Sequence, residues 1–98
     1  MNLKTRKIAE LDRVIHEPGR LMIVALLSAV EQADFLYLQH ETEMNKGTLS
    51  SHLSKLEEAG YVEVTKTYRG KIPQTLLSLT PAGRSAFEQY RKKLKEAL

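Results

Sequence analysis

Between Lys46 and Lys55 two lysines bracket a run of small hydroxyls and one imidazole: Thr48, Ser50, Ser51, His52 and Ser54. Hydroxyls donate to phosphate oxygens and accept from base edges, and lysines supply point charges for phosphate or guanine. The pattern suits a nucleic-acid groove. Advancing about 100° per residue from Leu49 keeps Leu53 and Leu56 within about 40° of it and turns Thr48, Ser51, Ser54 and Lys55 to the far side. One face packs and the other is free to touch a ligand. A second group of cations follows, Lys66, Arg69 and Lys71, with no acid between Val64 and Gln74. Lone charges at a turn also serve solubility, but a cluster without acids points to phosphate.

Other chemistries lack their residues. The chain has no cysteine, so thiolate catalysis, disulfides and thiolate metal sites are excluded. His16, His40 and His52 fall on different segments, and no two share a helical face, so no metal is expected. Glu41 with Glu43 and Glu57 with Glu58 read as solvated surface pairs. No glycine-rich phosphate loop, Ser-His-Asp order or metalloprotease motif is present. The reading is a non-enzyme without cofactor, and the residues name no small-molecule effector.

The elements that must hold these residues follow from capping and periodicity. Ninety-eight residues with 42% apolar content build one domain, spanning 1–98, around one core. Ile8, Leu11 and Ile15 predict an amphipathic helix over about 3–16. Pro18 opens a second helix, apolar nearly all round through Val30. A short strand and a third helix over Phe35 to Met44 follow, with Leu36, Leu38 and Met44 turned inward. Asn45 caps a fourth helix, about 46–59, which Gly60 stops in the left-handed region. β-Branched and aromatic residues after it predict a hairpin over about 61–80, turning at Arg69-Gly70-Lys71. Thr80-Pro81 begins a last helix, about 81–97, whose stripe is Phe87, Tyr90 and Leu94.

Net charge is +3, with a sequence pI near 9.3, which permits a nucleic-acid partner. The surplus lies in the second half: residues 1–49 carry six Lys/Arg against seven Asp/Glu, and residues 50–98 carry nine against five. The longest apolar run, Leu21–Leu27, is far short of the roughly 20 residues that span a bilayer. With no membrane segment, a cytoplasmic location is expected.

The order of elements, with two local strings, resembles the winged helix-turn-helix transcriptional regulators of the MarR and ArsR kind. Gly47-Thr48-Leu49-Ser50-Ser51-His52-Leu53, followed by Lys55-Leu56-Glu57 and Ala59-Gly60-Tyr61-Val62, is similar to their recognition helix and its exit. Leu79-Thr80-Pro81-Ala82-Gly83-Arg84 is similar to their passage from wing to final helix. The implied fold is α+β, mainly helical, a winged helix-turn-helix with extra helices at both ends. The implied function is sequence-specific binding of double-stranded DNA by a dimeric repressor. The fourth helix would enter the major groove, and the 68–73 wing would lie on the backbone or minor groove.

On that reading the contact residues are Lys46, Thr48, Ser50, Ser51, His52, Lys55, Arg69 and Lys71. Arg69 is the residue for minor-groove insertion. No Arg, Asn or Gln lies on the polar face of the fourth helix, so discrimination is modest or leans on DNA shape. Ile8, Leu11, Ile15, Phe87, Tyr90 and Leu94 are core by default, yet their stripes could also meet those of a second copy. The chain is shorter than the larger MarR pattern and leaves little room for an effector-holding helical region. Two rival readings use the same fold: a winged-helix protein-interaction module and a weakly specific nucleoid-type DNA binder.

Overall fold

Asn2, Glu17, Asp34, Asn45 and Thr80 each accept backbone N–H groups from the turn that follows, and each starts a helix. The computed structural model describes residues 2–98. Along the chain come α1 (Leu3–Ala9), α2 (Pro18–Ser28), β1 (Ala33–Asp34), α3 (Phe35–Thr42), α4 (Lys46–Glu58), β2 (Val62–Arg69), β3 (Ile72–Leu79) and α5 (Pro81–Ala97). The strands form one antiparallel sheet in the order β1-β3-β2. Helices and a small sheet in this order make the expected α+β winged helix.

Helix α4 keeps the boundaries its sequence predicts. The Asn45 side chain accepts from Thr48 N–H at 2.8 Å. At the other end Gly60 takes φ +80°. Tyr61 N–H then reaches Leu56 O, and Gly60 N–H reaches Glu57 O, both at 2.9 Å. This paired closure satisfies the last carbonyls and turns the chain straight into β2. Leu49 and Leu56 are fully buried and Leu53 nearly so, against Ile23, Val24, Leu27, Leu38, Val62, Leu77 and Leu79. Truncating any of these leucines to alanine would cost about 2–5 kcal/mol.

The register of the hairpin puts Val62 and Val64 opposite Leu79 and Leu77 on the face that packs against the helices. The same face continues outward through Lys66 opposite Thr75 and Tyr68 opposite Pro73. Gly83 lies where α5 meets the start of the hairpin. A Cβ there would overlap the Tyr61 carbonyl, so only glycine lets the two elements approach this closely.

Three expectations change. The first helix stops at Ala9 rather than His16 because Asp12 draws the backbone away: its Oδ1 accepts from Val14 N–H at 2.8 Å and from Ile15 N–H at 3.2 Å. Leu36 is 70% exposed. With the α3 cap at Asp34, the inward positions are Phe35, Leu38 and Thr42, and Leu36 points out.

The third change concerns the terminal stripes. Leu11, Ile15 and Tyr90 are buried together in a second cluster, with Phe87 and Leu94 packed against it. The ends of the chain meet each other: Lys7 pairs with Glu96 at 2.5 Å, and Tyr90 Oη lies 2.8 Å from His16 Nδ1. Residue numbers rise on one side as they fall on the other, so α1 and its following loop run antiparallel to α5. Five of the six residues expected to serve a dimer therefore pack inside the chain, and only Ile8 stays exposed.

Candidate nucleic-acid interface

Helix α4 presents three sides. Its buried side is the leucine stripe. Opposite lie Thr48, Ser51 and Lys55, all exposed, with no other element over them. The flank toward the hairpin carries Lys46, Ser50, Ser54 and Glu57, which line an open groove of about 570 Å³. Its other walls are Phe35, Leu36 and Gln39 of α3, and Lys66, Pro73, Gln74 and Thr75 of the hairpin. The groove is neutral in formal charge, with Lys46 and Lys66 balanced by Asp34 and Glu57.

The turn before α4 is short and tight. Glu43 sits in the left-handed region at φ 56°, Thr42 is buried with its hydroxyl on Leu38 O at 2.7 Å, and Met44 packs against the core. This fixes the angle between α3 and α4. The wing is fixed to α3 by Asp34, which accepts from Leu36 N–H at 2.6 Å and from Gln74 Nε2 at 2.8 Å. The Gln74 hydrogen bond is the main reason that the Asp34 carboxyl lies below its ordinary pKa.

His52 occupies the remaining flank of α4 and turns toward α2. Its Nδ1 lies 3.4 Å from Glu17 Oε2 and 3.5 Å from an Arg20 guanidinium nitrogen. Burial alone would raise the Glu17 pKa. The Gly19 and Arg20 N–H groups, with the charges of His52 and Arg20, bring it below the ordinary value. His52 thus links α4 to the start of α2 and turns its ring away from the outward face that carries Thr48, Ser51 and Lys55. Arg20 is held in turn, its Nε donating to Val14 O at 2.5 Å.

At the wing tip Gly70-Lys71 forms a two-residue turn between Arg69 and Ile72. Arg69 and Lys71 are exposed, and among the described residues neither takes part in a salt bridge. Two large apolar side chains accompany them, Tyr68 at 70% and Ile72 at 68% exposure. Lys66, one of the three wing cations, lines the groove beside α4, as its parity with Val62 and Val64 implies, rather than standing at the tip with Arg69 and Lys71. The sequence reading passed over Gln39, Gln74 and Tyr68. Only the pairing of β3 with β1 and the cap of α3 bring Gln39 and Gln74 to the groove beside the helix, whereas Tyr68 stands exposed near the wing tip.

A family model of the winged helix DNA-binding domain matches residues 20–98. The chain belongs to the winged-helix DNA-binding family. That family is one of DNA-binding domains and not of enzymes. An uncharacterized protein of Methanocaldococcus jannaschii is 37% identical over 79 residues, covering 80% of this chain and 85% of that protein. Among solved structures, a transcriptional regulator homologue from Pyrococcus horikoshii OT3 superposes with a TM-score of 0.86 at 26% identity, over 95% of this chain and 91% of that one. A MarR-family transcriptional regulator from Silicibacter pomeroyi shares the fold with a TM-score of 0.68 at 20% identity. This chain covers 62% of that protein's length and is itself covered to 96%. In winged-helix terms α3 and α4 are the helix-turn-helix pair, and β2 with β3 is the wing.

No helix of the described residues is long and apolar enough to cross a membrane. Among the same residues no group of three or more His, Asp or Glu could hold a metal ion.

Proposed function

We propose that this winged-helix protein is a cytoplasmic transcriptional regulator that lays α4 in a DNA major groove, with the 68–73 wing on the adjacent backbone or minor groove. The observation that carries the reading is the polarity of α4. Its buried leucines fix the helix in place, and the opposite face offers Thr48, Ser51 and Lys55, while Lys46 and Thr48 stand at the end where backbone N–H groups are in surplus. Lys66 faces this helix from the wing, and Arg69 and Lys71 reach beyond it.

Repression by occupying a promoter requires no further machinery, and we infer that mode for this chain. We also infer a homodimer, with half-sites about one helical turn, roughly 34 Å, apart. Its contact would draw on Leu3, Ile8 and Leu98, the apolar side chains that the α1–α5 pair leaves exposed. A monomer mass that does not change with concentration would remove the dimer.

The test is binding of the purified protein to its own upstream DNA and to a scrambled duplex across a salt series, read by fluorescence anisotropy. Tighter binding to the upstream duplex at physiological salt supports a specific regulator. Equal and steeply salt-dependent binding supports the weakly specific nucleoid-type reading, which the lack of Arg, Asn or Gln on the outward face of α4 favours. No binding at low salt would leave only the protein-interaction module.

A further inference from the structure

The far end of the wing is apolar where a solvated hairpin tip is ordinarily polar. Tyr68 and Ile72 are 70% and 68% exposed, and Pro73 beside them is exposed as well. Apolar side chains scattered singly over a surface need no explanation. Here three stand on one short tip whose other members are Arg69, Gly70 and Lys71.

The register sorts this tip into two faces. Ile72 is paired directly with Arg69, and Tyr68 with Pro73; successive pairs point to opposite sides of the ribbon. Tyr68 and Pro73 share the side of Val62, Val64 and Lys66, toward the helices. Arg69 and Ile72 share the other side, with Cβ atoms about 5 Å apart. Only Gly70 and Lys71 join the strands, with Gly70 at φ +65°, so the tip is two strands wide with no loop to spread it. Its base is held by the pairing of β3 with β1 at Leu76 and Leu77 and by the hydrogen bond from Gln74 to Asp34.

We propose that Ile72 is an apolar wedge that enters the DNA minor groove beside Arg69 and bends the duplex at the step it touches. The proposal deepens the DNA-binding reading of α4 and the wing and rests on it. A tip laid on the phosphate backbone gains from charges and hydroxyls, and an isoleucine there stays wet and contributes nothing. The minor groove offers sugar carbons along its walls and, where it is narrow, a negative potential that draws in arginine. Proteins that bind there combine such a cation with an apolar side chain pushed between base pairs, which unstacks the step and kinks the duplex. Arg69 and Ile72 are that combination in one cross-strand pair. With no acid between Val64 and Gln74, the tip complements a nucleic acid in charge, whereas the wing of another copy would bring the same cations. Kinking is easiest at TA and CA steps, so the wedge supplies a sequence preference that needs no Arg, Asn or Gln on the outward face of α4.

The test compares the full chain with Ile72→Ala, Ile72→Leu and Arg69→Gln on its own upstream DNA. Bending is read from the gel mobility of permuted fragments that carry the bound segment at the middle or at one end, and affinity from a salt series. Ile72 is exposed, and an unchanged melting curve verifies folding. Wild-type complexes should migrate more slowly with the segment at the middle. Ile72→Ala should lose most of that retardation and about tenfold in affinity, the worth of three half-buried carbons. Its salt slope should not change, because no phosphate contact is removed. Ile72→Leu keeps an apolar wedge and should keep the bend, and Arg69→Gln should lower the slope by about one.

A bend that survives Ile72→Ala overturns the wedge and leaves the α4–wing reading standing, as does a wild type that binds its duplex without bending it. A smaller oligomer mass for Ile72→Ala with bending unchanged overturns it in favour of a contact between copies. Failure of the wild type to bind any upstream duplex would overturn the α4–wing reading and the wedge together.

Discussion

Replacing Tyr61 with Phe isolates one hydrogen bond between the end of the helix-turn-helix and the N-terminal loop. The Tyr61 hydroxyl donates to Asp12 Oδ2 at 2.5 Å, and Asp12 uses its other oxygen to hold Val14 and Ile15. The bond to Asp12, with burial, pushes the Tyr61 phenol from 10.0 up to about 12. That rise bounds the interaction at about 3 kcal/mol. Water reaches Asp12, which is only half-buried, so the net loss in Tyr61→Phe is about 1.5 kcal/mol, the low end for a bond to a charged acceptor. The ring remains and no cavity opens.

For a domain of this size such a loss lowers the thermal midpoint by roughly 6–12 °C, which circular dichroism at neutral pH would measure. Linkage adds a second signature. A group whose pKa is raised by folding contributes stability that is complete below its unfolded pKa, 10.0, and is lost as pH climbs through about 12. The wild-type and variant curves should therefore converge above about pH 10. Equal midpoints at neutral pH would show that the Asp12 contact does not tie the loop to the winged helix.

At the wing, Arg69→Gln with Lys71→Gln should lower the salt slope by about 2 and weaken specific and scrambled duplexes alike. Salt-series anisotropy checks this, and an unchanged slope would remove the wing from the interface. Thr48→Trp or Ser51→Trp should weaken the upstream duplex at least tenfold, about 1.4 kcal/mol, while leaving scrambled DNA less affected. Equal loss on both duplexes would argue against proximity to base edges. Because folding depresses the Asp34 pKa, its contribution is complete above the ordinary value of 3.8 and fades as pH falls through the lower folded value. Gln74→Ala should accordingly melt lower than the wild type at neutral pH, with the gap narrowing below pH 3.8. A pH-independent gap would assign the loss to packing instead.

The parts of the fold legible in the sequence are those that local chemistry decides. Asn45, Gly60 and Thr80-Pro81 mark helix ends through side-chain caps and a left-handed residue, and Leu49, Leu53 and Leu56 declare the buried face of α4. Arg69-Gly70-Lys71 marks its turn for the same reason. Periodicity alone misled at the N-terminus, since Ile8, Leu11 and Ile15 keep helical spacing while Asp12 breaks the helix between them. The fate of the two terminal stripes was not local at all. Leu11 and Ile15 find Tyr90 across 75 or more positions, and only the folded chain decides between that partner and a second copy. His52 shows the same limit. Its type suits phosphate, but its place on α4 faces Glu17 and Arg20.

Hydrogen exchange of the full chain, with and without a short duplex of its upstream sequence, tests the central claim most directly. Slowed exchange in the first three turns of α4, about 46–55, and in the wing, about 66–73, with α2 unchanged, is the result predicted here. Protection that leaves α4 and the wing unaltered while the duplex is demonstrably bound would contradict it.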